Sequence, residues 1–327
     1  MAWKQMTEVY DLLESPRLDP DNLKRFFFQK GVQPSEFELR RVRGKKGETQ
    51  FVKVVIKGKS GRLKGKGSPT LGIIGRLGGI GARPKLIGLV SDADGAIAAL
   101  ACAAKIADMR SRGDELRGDV IVATHLCPRS PTIPHRPVPF MGAPVEMEIM
   151  NRYEVDEAME AILSVDTTKG NRVINRRGFA ISPTVKDGYI LRVSEGLLDI
   201  MEVVTGRLPV VFPVTTQDIT PYDNGVYHLN SILQPATATS APVVGVAITA
   251  ETAVPGCATG ASQPVDIELA VRFCVEVAKA FSEKRCSFYD HQEYLKLVSL
   301  YGSLTHLKTL GQKSAVATSR QNLKKAK

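Results

Sequence analysis

The sequence predicts a three-layer α/β/α protein with a mixed, mainly parallel central sheet, extended at its N-terminus by helices and a β-hairpin. Three observations carry that reading. Apolar runs of strand length recur along the chain as LGIIG, GDVIVATHL, AILSVDTT and PVVGVAIT. A helical apolar period spans 93–111, where Ile97, Leu100, Ala101, Ala104, Ile106 and Met109 recur. The order strand–helix–strand over 85–125 (KLIGLVS, helix, GDVIVATHL) demands a right-handed crossover and a parallel pair.

The elements follow in order. Residues 4–30 read as two short helices: Val9, Leu12 and Leu13 make the first apolar face, and Asp19 or Asp21 caps the second. FELRRVR and TQFVKVVIKG alternate about a GKKGE turn, which predicts a hairpin over 37–58. LGIIG is a buried strand, GRLGGIGARP a glycine-rich turn and KLIGLVS the next strand. That turn has no phosphate-binding G-x-x-x-x-G-K-[ST]. Its Gly79–Gly81 pair returns to a strand rather than opening a helix, so it fails the dinucleotide test. Six prolines over 128–144 make a stiff extended loop. Strands are expected in AILSVDTT, GYILRVS, LPVVFPV and PVVGVAIT, with helices at 195–205 and 264–283. Glu146 and Glu148 share a face if VEMEIM is extended. The organisation expected is an N-terminal elaboration (1–68), an α/β core (69–300) and a basic, disordered tail (301–327).

Composition narrows the class. The chain of 327 residues, 43% hydrophobic, is long enough for a sizeable core. No window approaches 18 uninterrupted apolar residues, and the N-terminus lacks the plan of a signal peptide. Cys102, Cys127, Cys257, Cys274 and Cys286 form no C-x-x-C, which suits buried thiols in a reducing, cytoplasmic setting. The net charge of +10 sits at the ends. Residues 1–68 hold 16 Lys/Arg against 8 Asp/Glu, and 301–327 hold 6 Lys/Arg with no acid, leaving 69–300 at −4. Basic ends without interleaved aromatics argue against nucleic acid as a partner.

In open α/β sheets, ligands bind beyond the carboxyl ends of the strands. The polar groups that directly follow apolar runs are therefore the candidates: Asp92 and Asp94, His125, Asp166, Asp218 with His228 further on, and Glu251. Each has a structural alternative. Asp92 or Asp94 would cap the helix that follows, His125 would sit hydrogen-bonded in a core, and Asp166 would form a turn. His135 and Arg136, in the proline-rich segment, would face the same edge, where an arginine fork suits a substrate carboxylate.

Four phrases carry a family resemblance: LGIIGRLGGIGARPKLIGLVSDADGAIAAL, THLCPRSPTIPHRPVPFMGAPVE, VDTTKGNRVIN and VFPVTTQDITPYDNGVYHLNSILQPATATSAPVVGVAIT. By these the chain resembles domain-of-unknown-function family 1177 from about residue 5 to 300. The order SDADGAIAALACAAKIADM, GDVIVATHLCP, AILSVD is also similar to the two-zinc aminopeptidases and their carboxypeptidase and deacylase relatives. That resemblance implies Asp92 as a bridging metal ligand and Asp166 as a later one. It also departs from the pattern: the glutamate pair falls on Cys127 and Pro128, and AVPGCATGAS carries no histidine.

Two functions are therefore expected from this chain. One is a metal-dependent hydrolase of amide bonds in small peptides or amino-acid derivatives. Its divalent metal, zinc by preference, would be bound by Asp92, His125 and Asp166. Asp218 or His228 would act as catalytic groups, and His135, Arg136 and Glu251 as substrate contacts. The other is an inactive homo-oligomeric assembly or small-molecule-binding module of the same fold.

Overall fold

The computed structural model describes all residues except 16–17, 77, 84–86, 170–172, 215–228, 255–256 and 309–327. Seven α-helices are formed among the described residues: α1 (Trp3–Glu14), α2 (Pro20–Gln29), α3 (Asp94–Ser111), α4 (Met147–Glu154), α5 (Glu195–Thr205), α6 (Pro264–Ser282) and α7 (His291–Tyr301). The strands are β1 (Phe37–Gly44), β2 (Gly47–Ile56), β3 (Thr70–Gly75), β4 (Asp119–Leu126), β5 (Thr132–Ile133), β6 (Phe140–Met141), β7 (Ala161–Thr167), β8 (Gly178–Ile181), β9 (Val185–Lys186), β10 (Tyr189–Ile190) and β11 (Val243–Thr249).

The main sheet runs β1-β2-β4-β3-β7-β11-β9-β10, with β8 also on β11. Its centre is parallel: β4, β3, β7 and β11 pair side by side in one direction. The flanks are antiparallel, so the fold is the mixed α/β/α sandwich that the sequence predicts. The N-terminal hairpin is part of this sheet, because β2 pairs with β4 from Gln50↔Leu126 to Ile56↔Val120.

Alternation along the strands divides the core in two. Leu71, Ile73, Val120, Val122, Leu163, Val165, Val244 and Val246 face the layer of α1, α3, α5 and α6. Ile74, Ile121, Ile162, Val243 and Ala247 face the other way, onto a short 3-10 turn at Ser231–Thr237. Each such aliphatic side chain contributes about 1.5–3 kcal/mol on burial. In α3, 14 of 18 residues are buried, and only Lys105, Asp108, Arg110 and Ser111 reach solvent. Its alanines let it lie close to the sheet: a Cβ on Gly75 would stand 2.5 Å from the Gly95 carbonyl oxygen.

Several expected elements differ. Among the described residues of KLIGLVS there is no strand; 87–90 are irregular and 91–93 are a 3-10 turn. The crossover therefore runs from β3 through α3 to β4. Leu89 and Val90 of that run are buried while Ile87 is exposed, and strand-like composition does not distinguish such a loop from a strand. VEMEIM is helical rather than extended, with Glu146 at the N-cap position of α4. GYILRVS keeps only the two residues of β10, and LPVVFPV only a bridge from Val211 to Ile181. Proline at 209 and 213 limits the pairing of the latter. No helix of the described residues is long and apolar enough to cross a membrane.

Candidate functional site

Because β4, β3, β7 and β11 are parallel, their carboxyl ends form one rim. Arg76 follows β3, and His125 and Asp166 lie near the ends of β4 and β7. Alternation turns all three toward the sheet face covered by the 3-10 turn, opposite the layer of α3 and α6. The glycine-rich segment 78–82 and the 3-10 turn 91–93 follow β3 on the way to α3, and they bring Asp92 to the same rim.

A buried network stands beneath it. Arg76 is fully buried, and its Nη1 donates to Glu154 Oε2 at 2.5 Å. Its Nη2 donates to Gln234 Oε1 at 2.5 Å and reaches Met147 Sδ at 3.0 Å. The second Glu154 oxygen, Oε1, lies 2.5 Å from His125 Nδ1. The Gly78 N–H donates to His125 Nε2 at 3.2 Å, so Nε2 is unprotonated and Nδ1 carries the hydrogen that meets Glu154. Burial pushes the Glu154 carboxyl up, but the Arg76 guanidinium and His125 outweigh it and hold the group below the usual glutamate range.

The loops around Asp92 are tied together. Ser91 donates its N–H to Thr259 O at 2.6 Å and its hydroxyl to Cys257 O at 3.2 Å. Asp94 accepts from Lys169 Nζ and, at 2.5 Å, from Ser262 Oγ; Lys169 also donates to Ala261 O at 2.9 Å. Burial nevertheless keeps the Asp94 carboxyl above its ordinary value. Cys257 Sγ accepts the Met141 N–H at 3.0 Å. Burial first, then the Asp92 carboxylate, with Asp166 adding, drives the Cys257 thiol far above its usual value. Asp166 is buried, and its Oδ1 accepts the Thr167 N–H at 2.6 Å.

Above this floor opens a cleft of about 1770 Å³. Asp92, His125 and Gly79 line its rim end. Met141, Met147, Met150 and Met159 give it soft apolar walls. A Cβ on Gly79 would stand 2.6 Å from Asp92 Oδ2, so the loop rests directly on that carboxylate.

The sequence candidates separate accordingly. Asp92 and His125 share the cleft. His135 and Arg136 sit exposed at the tip of the β5–β6 hairpin and do not line it. His135 Nδ1 is 3.0 Å from Val138 O, and its ring stacks on Phe140 with centroids 4.2 Å apart. Glu251 is exposed two residues past β11 and does not line the cleft either. Asp218 and His228 lie outside the described residues. Arg76, Glu154 and Lys169 were missed. Arg76 hides in a glycine-rich stretch that reads as a turn, and Glu154 in a polar stretch that assigns no helix. An arginine directly after an all-apolar strand was the available signal.

Asp92, His125 and Asp166 do not fit a metal centre as they stand. His125 Nε2, the nitrogen left for a metal while Nδ1–H meets Glu154, accepts the Gly78 N–H at 3.2 Å, which an ion would have to displace. Among the described residues, no three His, Cys, Asp or Glu side chains are grouped so as to hold one ion.

Among solved structures, a mutant of tomato leucine aminopeptidase matches with a TM-score of 0.51 at 12% identity. The match covers 84% of this chain, which spans 60% of that enzyme's length; at this identity the likeness is one of fold. No curated protein matches the sequence. The family model described as "Protein of unknown function (DUF1177)" matches residues 40–311, and the chain belongs to that family.

Proposed function

We propose that this protein is a small-molecule- or peptide-binding module built on an aminopeptidase-like fold. The carrying observation is the state of His125. The histidine at the head of the cleft has its unprotonated nitrogen covered by the Gly78 amide, where a metallohydrolase would present it to an ion. The cleft itself is large, mostly apolar and floored by a carboxylate, which suits capture of an amphipathic ligand. Calorimetric titration with free amino acids, dipeptides and short peptides tests the reading. Saturable binding without turnover is expected; cleavage of any of these ligands would overturn it.

A second reading is a metal-dependent amide hydrolase, and one observation favours it. Asp166 ends β7 and Asp92 follows its parallel neighbour β3, so two carboxylates belong to the same rim. In that reading they would hold a divalent ion together with groups from 215–228, where Asp218 and His228 lie. Elemental analysis of unchelated protein separates the two readings. Stoichiometric zinc that is lost in Asp92→Asn would favour the hydrolase.

A further inference from the structure

The cleft has a second end. From Asp92 and His125 at the carboxyl ends of the parallel strands, its lining continues to Met159, Glu160 and Pro242, which precede β7 and β11 at the opposite edge of the sheet. It therefore extends the length of a seven-residue strand, about 20 Å. A single amino acid would occupy only a fraction of it.

The far end carries two ammonium groups. Lys186 Nζ donates to Ser240 O at 2.5 Å and pairs with Asp187 Oδ2 at 3.2 Å. It also lies 4.9 Å from the Tyr294 ring centroid and 5.7 Å from that of Tyr289, so aromatic faces hold it in place. Lys308 Nζ pairs with Asp187 Oδ1 at 3.4 Å and reaches Ser240 Oγ at 3.3 Å. Asp187 sits at φ 49°, a left-handed conformation just before Gly188. Burial alone would raise its carboxyl, but bonds from Ser240 and Tyr294, with Lys186, keep it ionised. One carboxylate thus stands between two lysines. Both lysines line the cleft, and their side chains are only 12% and 17% exposed. One positive charge is left over, in a half-buried place where it is weakly screened. Of the acidic residues before β7 that line the cleft, Glu160 is answered by Arg62 at 3.0 Å and Glu157 is exposed to solvent.

We propose that Lys186 and Lys308 form a carboxylate-binding subsite, and that the cleft takes an extended, apolar short peptide with its free C-terminus there. This rests on the binding reading above and names its ligand class. The other end of such a peptide lies toward Asp92, whose negative charge suits an α-ammonium. The methionine walls between accept apolar side chains without strict shape.

The test is calorimetric titration of the full chain with an apolar alanine–leucine hexapeptide, as free acid and as C-terminal amide. The amide should bind at least tenfold more weakly. Lys308→Gln, or Lys186→Met, which keeps the packing on the two tyrosines, should weaken the acid by a similar factor and leave the amide unchanged. Thermal unfolding of each variant reports on its fold. Acid and amide binding alike, or variants that weaken both equally while folded, would overturn the subsite. If dipeptides bind as tightly as hexapeptides, the extended ligand is wrong and small-molecule binding stands. If no amino acid or peptide binds, both readings fall.

Discussion

His125 Nδ1 and Glu154 Oε1 stand 2.5 Å apart beneath the cleft, both side chains buried, joining the end of β4 to the end of α4. The bond fixes the imidazole with Nε2 turned to the Gly78 amide, and so sets the height of the glycine-rich loop over the cleft floor. Glu154 also neutralises Arg76, whose guanidinium has no solvent to turn to.

Replacing Glu154 by Gln removes that charge and leaves Arg76 buried and uncompensated. Breaking one partner of a buried ion pair costs about 3–5 kcal/mol. Urea unfolding at neutral pH should show a loss of that order. A loss under about 1 kcal/mol would mean that Arg76 finds another partner. The ring of His125 should also exchange tautomers, which 15N imidazole shifts would detect.

The same group gives a pH dependence whose sign is determined. The folded Glu154 carboxyl titrates below its unfolded value, so its contribution is fully present above the ordinary glutamate value of about 4.3. That contribution is lost as the pH falls through the lower folded value. Stability of the native chain minus that of Glu154→Gln should therefore be constant from pH 7 to about pH 5 and shrink below about pH 4.

The parallel centre of the fold was legible because the runs at β3, β4, β7 and β11 are buried on both faces and read as continuous apolar stretches. Asp92 and His125 were legible for the same reason, since they lie at or beyond such runs. KLIGLVS misled because an apolar loop under a rim has the composition of a strand. Glu154 was hidden because its function is defined by Arg76 and His125, which are 78 and 29 residues away in sequence. Lys186 and Lys308 were hidden likewise: a subsite assembled from the two-residue strand β9 and the last described turn has no local signature. His135 and Arg136 were placed in the cleft on the direction of a stiff segment, but the β5–β6 hairpin carries its tip away.

Gly78 allows the loop to approach. A Cβ there would overlap the backbone carbonyl oxygen of His125, and backbone cannot step aside as a flexible side chain can. Gly78→Ala should destabilise the protein by about 1–3 kcal/mol through strain, and lower peptide affinity by moving Gly79 off Asp92. Measured stability within about 0.5 kcal/mol of the native chain would show that the loop is not held against β4.

Cys257 offers a chemical probe of the carboxylates behind the rim. Its thiol is partly accessible, yet burial, Asp92 and Asp166 all disfavour the thiolate, which is the reactive form. Iodoacetamide at pH 8 should label it far more slowly than a free model thiol. Removing one nearby negative charge stabilises the thiolate, so Asp92→Asn should raise the labelling rate at constant pH, and Asp166→Asn should do so less. Mass spectrometry of the peptide containing Cys257 gives the rates directly. Equal rates in the native chain and both variants would place the two carboxylates too far from Cys257 to act on it, and would remove the ground for a shared cation between them.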